Sequence, residues 1–244
     1  MKIDIMTLFP ELIDGVMHES IIGRAQEKQL ISIRPVNIRD FTLDKHNRVD
    51  DTPYGGGKGM VMQADPLFRC HAHLTQGEHV HTVMMSAQGA PFNQDKAREL
   101  LARGRFIIVC GHYEGIDQRF IDTCVDEEIS MGDFVLTGGE IPAMAVADAV
   151  CRMVPGVLSD DVCFQDESHW NGLLEYPQYT KPAVWHDQAV PEVLLSGHHA
   201  NINRWRRKMS LKRTKRDRPD LFANFQPQDK QDIKILEELE EEAQ

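Results

Sequence analysis

Two neighbouring segments determine the fold: Arg105-Phe-Ile-Ile-Val-Cys-Gly-His-Tyr-Glu-Gly-Ile-Asp117 and, after an acidic helical segment, Ser130-Met-Gly-Asp-Phe-Val-Leu-Thr-Gly-Gly-Glu140. The β-branched run Phe106 to Cys110 lies between two glycines, which is typical of a buried strand. We interpret Ile129 to Leu136 as a second short strand, interrupted at Gly132-Asp133. Ligands of α/β proteins bind outside the carboxyl ends of strands, and glycines let the main chain approach them closely. Both glycine loops are therefore candidate ligand-binding loops. The alternative is that the glycines only allow two turns that need a positive φ.

The chain up to residue 154 alternates between strand and helix patterns. Strands are expected at Met1 to Phe9, Leu30 to Ile38 and Val80 to Met85, and helices at Pro10 to Met17, Leu67 to Leu74, Asn93 to Ala102 and Glu140 to Val154. Asn93 is a suitable N-cap for its helix, and Gly104 lies just past its end. This alternation predicts a mostly parallel α/β sheet. The strand at Val80 leads into a third glycine loop, Ser86-Ala-Gln-Gly89.

The segment from Arg39 to Gly59 has no periodicity and ends in the run Tyr54-Gly-Gly-Gly-Lys-Gly59. A structureless loop of this length inside a compact domain is usually functional or disordered. The run is not a phosphate-binding Walker loop, because the Gly-x4-Gly-Lys spacing and the following Ser or Thr are both missing. From the residues alone, a flexible surface loop is the simpler interpretation.

The character of the sequence changes after Pro155-Gly156. Ser159 to Asn171 is polar and acidic and predicts an interdomain linker. Between Arg204 and Arg218 there are nine Lys or Arg residues and one acid, a density that fits contact with an RNA backbone. A solvated helix face is the alternative. The acidic segment Leu236 to Glu242 is expected to be solvated.

Composition limits the class of protein. The 244 residues carry a formal net charge of -11 and contain no apolar run long enough to span a membrane. The N-terminus lacks the plan of a signal peptide, so we expect a cytoplasmic protein without membrane association. Five cysteines, with no Cys-x-x-Cys pair, argue against a disulfide framework and against a zinc site. The histidines at positions 71, 73, 79 and 81 are interpreted as surface residues rather than as a metal cluster.

Further short motifs follow one another along nearly the whole chain. They are Leu8-Phe-Pro10, Arg39-Asp-Phe41, Asp44-Lys-His46, Val49-Asp-Asp51, Tyr54-Gly-Gly-Gly57, Pro155-Gly-Val-Leu158, Tyr179-Thr-Lys-Pro182 and Leu195-Ser-Gly-His-His199. Together with the two segments quoted first, they resemble the bacterial tRNA (guanine-N1)-methyltransferases, the TrmD family of the SPOUT superfamily. The resemblance implies an enzyme that uses S-adenosylmethionine to methylate N1 of the guanine immediately 3′ of the anticodon, position 37, in tRNA.

The resemblance also implies an architecture. It is an α/β SPOUT fold with a mostly parallel sheet and a deep trefoil knot, a rare exception to unknotted topology. Residues 1–158 would form the knotted S-adenosylmethionine-binding catalytic domain, 159–172 a flexible linker and 173–244 a small helical domain that binds tRNA. The family is homodimeric, and the pattern from Glu140 to Val154, apolar on most sides, suits a helix buried in the core or at a dimer interface.

Site residues follow from the same resemblance. The family's catalytic carboxylate is usually the aspartate of an Asp-Ser-Phe motif before Gly-Leu-Leu; counting from Gly172 and from Arg152 places Glu167 there, with Asp166 as the alternative base. Arg152 would stabilise the charge that develops on guanine. Cofactor binding is expected from Ala87, where the family usually has proline, and from Gly89, Gly111, Tyr113, Glu114, Gly115, Met131, Gly132, Asp133, Phe134, Val135, Leu136, Gly138 and Gly139. Guanine and tRNA contacts are expected from His46, Asp50, Tyr54 and Gly57. Family members use magnesium, but no ligand cluster predicts a fixed metal site.

Two other functions remain open at this point. One is a SPOUT enzyme with a different RNA target, such as a ribose methyltransferase, which needs neither the His46 loop nor a carboxylate in the linker. The other is an RNA- or nucleotide-binding protein without catalysis, because glutamate replaces the usual aspartate at position 167.

Overall fold

The computed structural model describes residues 1–160, 164, 167–227 and 229–242. The chain forms two compact units, Met1–Asp161 and Val162–Gln244. The elements of the first unit are β1 (Lys2–Thr7), α1 (Pro10–Met17), α2 (Ser20–Glu27), β2 (Ser32–Asn37), a 3-10 helix (Ile38–Phe41), β3 (Asp50–Asp51), β4 (Val61–Met62), α3 (Ala64–Thr75), β5 (Thr82–Pro91), α4 (Gln94–Arg103), β6 (Arg105–Cys110), α5 (Gln118–Cys124), β7 (Glu127–Ser130) and α6 (Glu140–Cys151).

The first unit is built on a five-stranded sheet in the order β2-β1-β6-β5-β7. Every neighbouring pair in it is parallel, which confirms the parallel α/β sheet predicted from the alternation of strands and helices. On one face, Ile107 and Val109 pack in a core that includes Leu67 and Phe120. The alternate residues of β6 point to the other face and are also fully buried, because helices cover both faces of a parallel sheet.

Local capping sets the bounds of α4 as predicted. The Asn93 side chain accepts a hydrogen bond from the Lys96 N–H at 2.9 Å, and Gly104 follows the helix with φ +70°. This places the start of β6 directly after the helix. The helix α6 starts at Glu140 as expected and ends at Cys151, three residues before the end of its apolar pattern.

Two of the sequence predictions for the strands were wrong. The strand expected at Ile129 to Leu136 ends at Ser130, where the side chain both donates to Gly132 O and accepts from Gly132 N–H and so forms a turn. The apolar residues that follow lie in a loop, with Val135 85% exposed. The expected loop Ser86 to Gly89 lies within β5, at an irregularity in its pairing with β7.

The long segment from Arg39 to Gly59 is mostly irregular, as predicted, but it contains two short regular elements. It begins in the 3-10 helix and continues into a hairpin in which Asp50 pairs with Met62. The tip of this hairpin contains glycines at positive φ and Tyr54, whose side chain is 99% exposed.

The second unit contains β8 (Val184–Trp185), β9 (Gln188–Ala189), α7 (Glu192–Leu195), α8 (His199–Asp217), α9 (Pro219–Ala223) and α10 (Lys230–Glu241). Its core consists of Leu173, Leu211, Ile235 and Leu239, against which two phenylalanines pack. The helices α8 and α10 therefore share one apolar seam.

Charged side chains also join α8 to α10, so the acidic segment Leu236 to Glu242 is not merely solvated, which corrects the expectation. Arg207 donates to both oxygens of the buried Asp232 at 2.7 and 2.8 Å. Lys208 lies 2.9 Å from Glu238 and 2.7 Å from Glu242. One face of the basic helix is thus neutralised within the chain.

Other expectations concern single residue types. The cysteines in the described ranges are free and buried; Cys163 lies outside those ranges. His71 and His81 are partly buried rather than on the surface, and His81 Nε2 lies 2.8 Å from Glu127 Oε1. In the described part of the chain, no helix is long and apolar enough to cross a membrane.

Candidate active site

The carboxyl ends of β6 and β7 and the middle of β5, residues 84–88, line a cavity of about 430 Å³. Parallel strands place such ends on one edge of the sheet, which is where ligands of open α/β sheets bind. The lining residues are 84–88, 111–116, 128–131, 134–139, Gln118, Ile121 and Pro142. The loops after β6 and β7 belong to the two glycine-containing segments quoted at the start of the sequence analysis. They therefore meet at one site.

Close main-chain packing joins the two glycine loops. The Gly139 N–H donates to Gly111 O at 2.9 Å. A Cβ on Gly139 would lie 2.7 Å from the Cα of Cys110, so only glycine fits there. Gly138 pairs with His112 in an isolated antiparallel bridge. The wall of the cavity at this point is consequently main chain.

Tyr113 adopts the left-handed region with φ +59°, which is uncommon for a residue other than glycine. Its hydroxyl accepts a hydrogen bond from Arg39 Nη2 at 3.3 Å, and Arg39 Nη1 donates to Asn47 O at 3.2 Å. The His112 ring lies 5.1 Å from both the Phe9 and the Tyr113 rings. Arg39 therefore connects the long polar segment to the wall of the cavity.

The end of the hairpin also packs on the loop after β6. The Glu114 N–H donates to Met60 O at 3.0 Å, and the Met62 N–H donates to Gly115 O at 2.9 Å. Glu114 lies so close to Gly59 that a Cβ there would overlap its carboxylate. These contacts fix the base of the hairpin beside the cavity and leave its tip exposed.

A buried carboxylate lies directly after the second glycine loop, at the first residue of α6. Glu140, only 4% exposed, accepts a hydrogen bond from Thr7 Oγ1 at 2.8 Å, and Thr7 Oγ1 accepts one from the Phe9 N–H. Burial, and then the nearby Glu140 charge, raise the pKa of the Cys110 thiol well above its ordinary value. Cys110 is therefore an inert, packed thiol and not a nucleophile.

The residues expected to contact guanine and tRNA lie within residues 39–62, which we call the hairpin segment because it contains the hairpin of β3 and β4. The Asp44 carboxylate accepts from the His46 N–H at 2.7 Å and pairs with Arg48, and these bonds, led by that from the Arg48 side chain, lower the pKa of Asp44 to about 2. The turn that carries His46 is thus held by a carboxylate that stays ionised. Asp50 is partly buried in β3, whereas Tyr54 and Gly57 lie at the exposed tip.

The two expected catalytic residues belong to different units. Arg152 directly follows α6 in the first unit, and its N–H donates to Asp148 O. Glu167 begins a turn in the second unit in which its carbonyl accepts from the Trp170 N–H at 3.3 Å. Asp166, the alternative base, lies outside the described residues.

Most of the expected cofactor residues line the cavity. Three do not: Gly89 packs against the main chain of Glu128 and Ile129, and Gly132 and Asp133 lie in the turn beyond Ser130. No sequence pattern identified Thr7 as a support for Glu140, whereas Arg39 stood in a motif already noted. No group of three or more His, Cys, Asp or Glu side chains within the described ranges could hold a metal ion.

A cavity lined by strand ends and glycine loops at one edge of a parallel sheet is the arrangement in which α/β proteins bind small molecules. Within this class, the chain belongs to the tRNA (guanine-1)-methyltransferase TrmD family, whose family model matches residues 1–224.

Three similar proteins carry the name tRNA (guanine-N(1)-)-methyltransferase. That of Ruminiclostridium cellulolyticum is 56% identical over 224 residues, which cover 91% of this chain and 96% of the relative. That of Desulforamulus reducens is 53% identical over 243 residues, covering 98% and 95%. That of Dehalococcoides mccartyi is 50% identical over 248 residues and covers both chains in full.

Proposed function

We propose that this chain transfers the methyl group of S-adenosylmethionine to N1 of the guanine at position 37, immediately 3′ of the anticodon, in tRNA. Membership of its family makes it a tRNA (guanine-N1)-methyltransferase. The observation that carries the cofactor assignment is the cavity at which the ends of β6 and β7, the middle of β5 and both glycine loops meet.

The chemistry of the cavity fits this methyl donor. Its walls combine apolar side chains, such as Ile116 and Ile129, with main-chain groups. The N–H groups of residues 135–137 donate to no described residue, so they are available to a ligand. The lining, all of it described, includes two carboxylates, Glu114 and Glu128, and no lysine or arginine. That balance favours a ligand that carries positive charge, as a sulfonium does.

The chain's own residues then have three tasks. When bound, S-adenosylmethionine supplies an already activated methyl group on its sulfonium. Glu167 removes the N1 proton of guanine as a general base, and Arg152 stabilises the negative charge that develops on the guanine. The loops after β6 and β7 align the donor, because alignment contributes strongly to such transfers.

The hairpin segment is proposed as the guanine-contacting element. His46 and Asp50 would bind guanine, and Tyr54 and Gly57 would contact tRNA from the exposed tip. The contact between Arg39 and Tyr113 supports this role, because it couples the hairpin segment to the donor cavity. Magnesium is proposed as a further cofactor, although the described residues contain no group of three or more His, Cys, Asp or Glu side chains that could hold it.

The domain roles are part of the same proposal. Residues 1–158 form a SPOUT domain with a trefoil knot, 159–172 a flexible linker and 173–244 a helical tRNA-binding domain. Because tRNA is the substrate, the cytoplasm is the expected compartment. A homodimer is supported by an apolar groove at α1, α2 and α6, near which Val16, Ile21 and Ile141 are exposed. Sedimentation equilibrium of the full chain tests the dimer, and a monomer at micromolar concentration overturns it.

The direct test of the function compares two unmodified tRNA transcripts that differ only at position 37, guanine in one and adenine in the other. Label from methyl-tritiated S-adenosylmethionine is expected in the guanine transcript alone. Equal labelling of both transcripts contradicts the assignment to position 37.

A further inference from the structure

A second cavity, of about 570 Å³, lies wholly within the second unit, between the segment 176–183, Val190, α7 and the first turns of α8. We call it the aromatic cleft. Tyr176, Tyr179 and Trp205 contribute three aromatic rings to its lining, and Tyr179 and Trp205 lie 6.3 Å apart. Tyr179 is half exposed, so this side chain is accessible from solvent.

The charge of the aromatic cleft differs from that of the chain. Its lining contains Lys181 and Arg206, and none of its lining residues, all of which are described, is an aspartate or glutamate. The whole chain by contrast has a formal net charge of -11. A cationic surface on an acidic protein indicates an anionic partner.

Arg206 is the cation on α8 that best fits such a partner. Its neighbours Arg204, Arg207 and Lys208 are paired with carboxylates of α10. The Arg206 guanidinium instead lies 5.0 Å from the centre of the Tyr176 ring. It forms no salt bridge with any described residue, and its buried Nε has no hydrogen-bond partner there. Arg206 and the three cations that pair with α10 therefore lie on different faces of α8.

We propose that the aromatic cleft binds one unpaired nucleotide of the tRNA, with its base stacked on Trp205 or Tyr179 and its phosphate held by Arg206 and Lys181. Proteins bind unpaired bases by stacking them on aromatic side chains, and arginine holds phosphate through charge-assisted hydrogen bonds. The proposal rests on the proposed function, which supplies tRNA as the substrate. It assigns the RNA contact to the face of α8 that does not pair with α10, rather than to the whole basic helix.

The test measures the affinity of the full chain for an unmodified tRNA transcript over a range of salt concentrations. Tyr179→Ala is expected to raise Kd at least about fivefold with little change in the salt dependence, because it removes a stacking surface. Arg206→Gln is expected to raise Kd and to reduce the slope of log Kd against log salt by about one, because it removes a phosphate contact. In both variants KM for tRNA should rise while KM for S-adenosylmethionine stays the same.

Arg204→Gln is the matched control. It removes the same charge two residues earlier on α8, but its guanidinium is already paired with Glu238. We expect tRNA affinity close to that of the wild type. Lys181→Gln gives a second variant at an exposed position, and circular dichroism checks that all variants are folded.

The outcomes separate the aromatic cleft from the proposed function. Methyl transfer by the wild type tests the function independently of any cleft variant. Wild-type tRNA affinity in both Tyr179→Ala and Arg206→Gln overturns the nucleotide site and leaves the methyltransferase assignment intact. Loss of self-association with unchanged tRNA affinity would instead make the cleft an interface between copies of the chain, and a wild type that binds no tRNA overturns both proposals.

Discussion

At the scale of single residues, Gly139 determines how closely the two cavity loops approach each other. A Cβ at this position would lie 2.7 Å from the Cα of Cys110, which is main chain and cannot rotate away. We expect Gly139→Ala to lower the free energy of unfolding of the first unit by about 1–3 kcal/mol, as overpacking does, and to weaken S-adenosylmethionine binding. Thermal unfolding and calorimetric titration measure the two effects.

Gly15→Ala is the control, because nothing lies within 4 Å of a Cβ at this position in α1. Alanine is the better helix former, so this variant should be about 0.5–1 kcal/mol more stable and should bind the donor normally. If Gly139→Ala behaved like Gly15→Ala, the close contact would have no bearing on the cavity.

Glu167 is the residue on which the proposed chemistry depends most. Glu167→Gln keeps the size and removes the base, so kcat should fall by about 10²- to 10⁴-fold while the affinity for S-adenosylmethionine stays unchanged. Single-turnover methyl transfer measures the first quantity and equilibrium titration the second.

Asp166→Asn provides the comparison at the neighbouring carboxylate. It should keep most of the activity. If Asp166→Asn lost activity and Glu167→Gln kept it, the general base would be Asp166. Full activity in both variants would contradict any general-base role for these two carboxylates.

Residue-level predictions succeeded where the cause is local. Asn93 and Gly104 bound α4 because capping depends on a few neighbouring groups, and these are visible in the sequence. Gly89 is a different case. Its small size serves contact with Glu128 and Ile129 of β7, which are distant in the chain, and no local pattern distinguishes this from contact with a ligand.

At the scale of elements, the start of β7 is held by a carboxylate. Asp126 accepts from the Thr82 N–H at 2.7 Å and lies 3.0 Å from His79 Nε2. Burial acts to raise the pKa of Asp126, but these partners hold it below its ordinary value. A carboxylate of this kind stabilises the fold above its unfolded pKa of about 3.9, and the contribution is lost as the pH falls through the lower folded pKa.

We therefore expect Asp126→Asn to be less stable than the wild type at pH 7, with the difference shrinking below about pH 4. Urea unfolding at pH 7 and at pH 3, followed by circular dichroism, measures this. A stability difference that does not change with pH would show that the charge of Asp126 contributes nothing.

The pairing of α8 with α10 gives a second prediction at this scale. Asp232→Ala leaves the half-buried Arg207 without its partner, and breaking a buried pair in this way costs about 3–5 kcal/mol. All three tryptophans, Trp170, Trp185 and Trp205, belong to the second unit, so tryptophan fluorescence during urea unfolding reports on that unit alone. Asp220→Ala, which removes an exposed pair with Arg218, should have a much smaller effect; an equal loss would contradict the role of burial.

Predictions for whole elements were wrong where the structure depends on contacts with residues distant in the sequence. Apolar residues 134–136 fit a strand pattern, yet Val135 is exposed beside the cavity, so the prediction of a strand there was wrong. The acidic segment Leu236 to Glu242 was predicted to be solvated because its partners lie 30 to 34 residues earlier, on α8. Neither periodicity nor composition reports which helix faces pair.

At the scale of the whole molecule, the alternation of elements was sufficient to predict a parallel sheet, because parallel strands need crossovers that are usually helical. It could not give the order β2-β1-β6-β5-β7, in which β6 lies between β1 and β5. That order brings the middle of β5 and the ends of β6 and β7 to one cavity, and so it unites loops that are separate in the sequence.

The decisive experiment is identification of the nucleoside formed when the chain, S-adenosylmethionine and an unmodified tRNA with guanine at position 37 are combined. We expect 1-methylguanosine at that position, and loss of this product in Glu167→Gln. A ribose-methylated guanosine would indicate a different reaction in the same fold. Binding of both tRNA and S-adenosylmethionine without any methylated product would contradict the proposed methyl transfer.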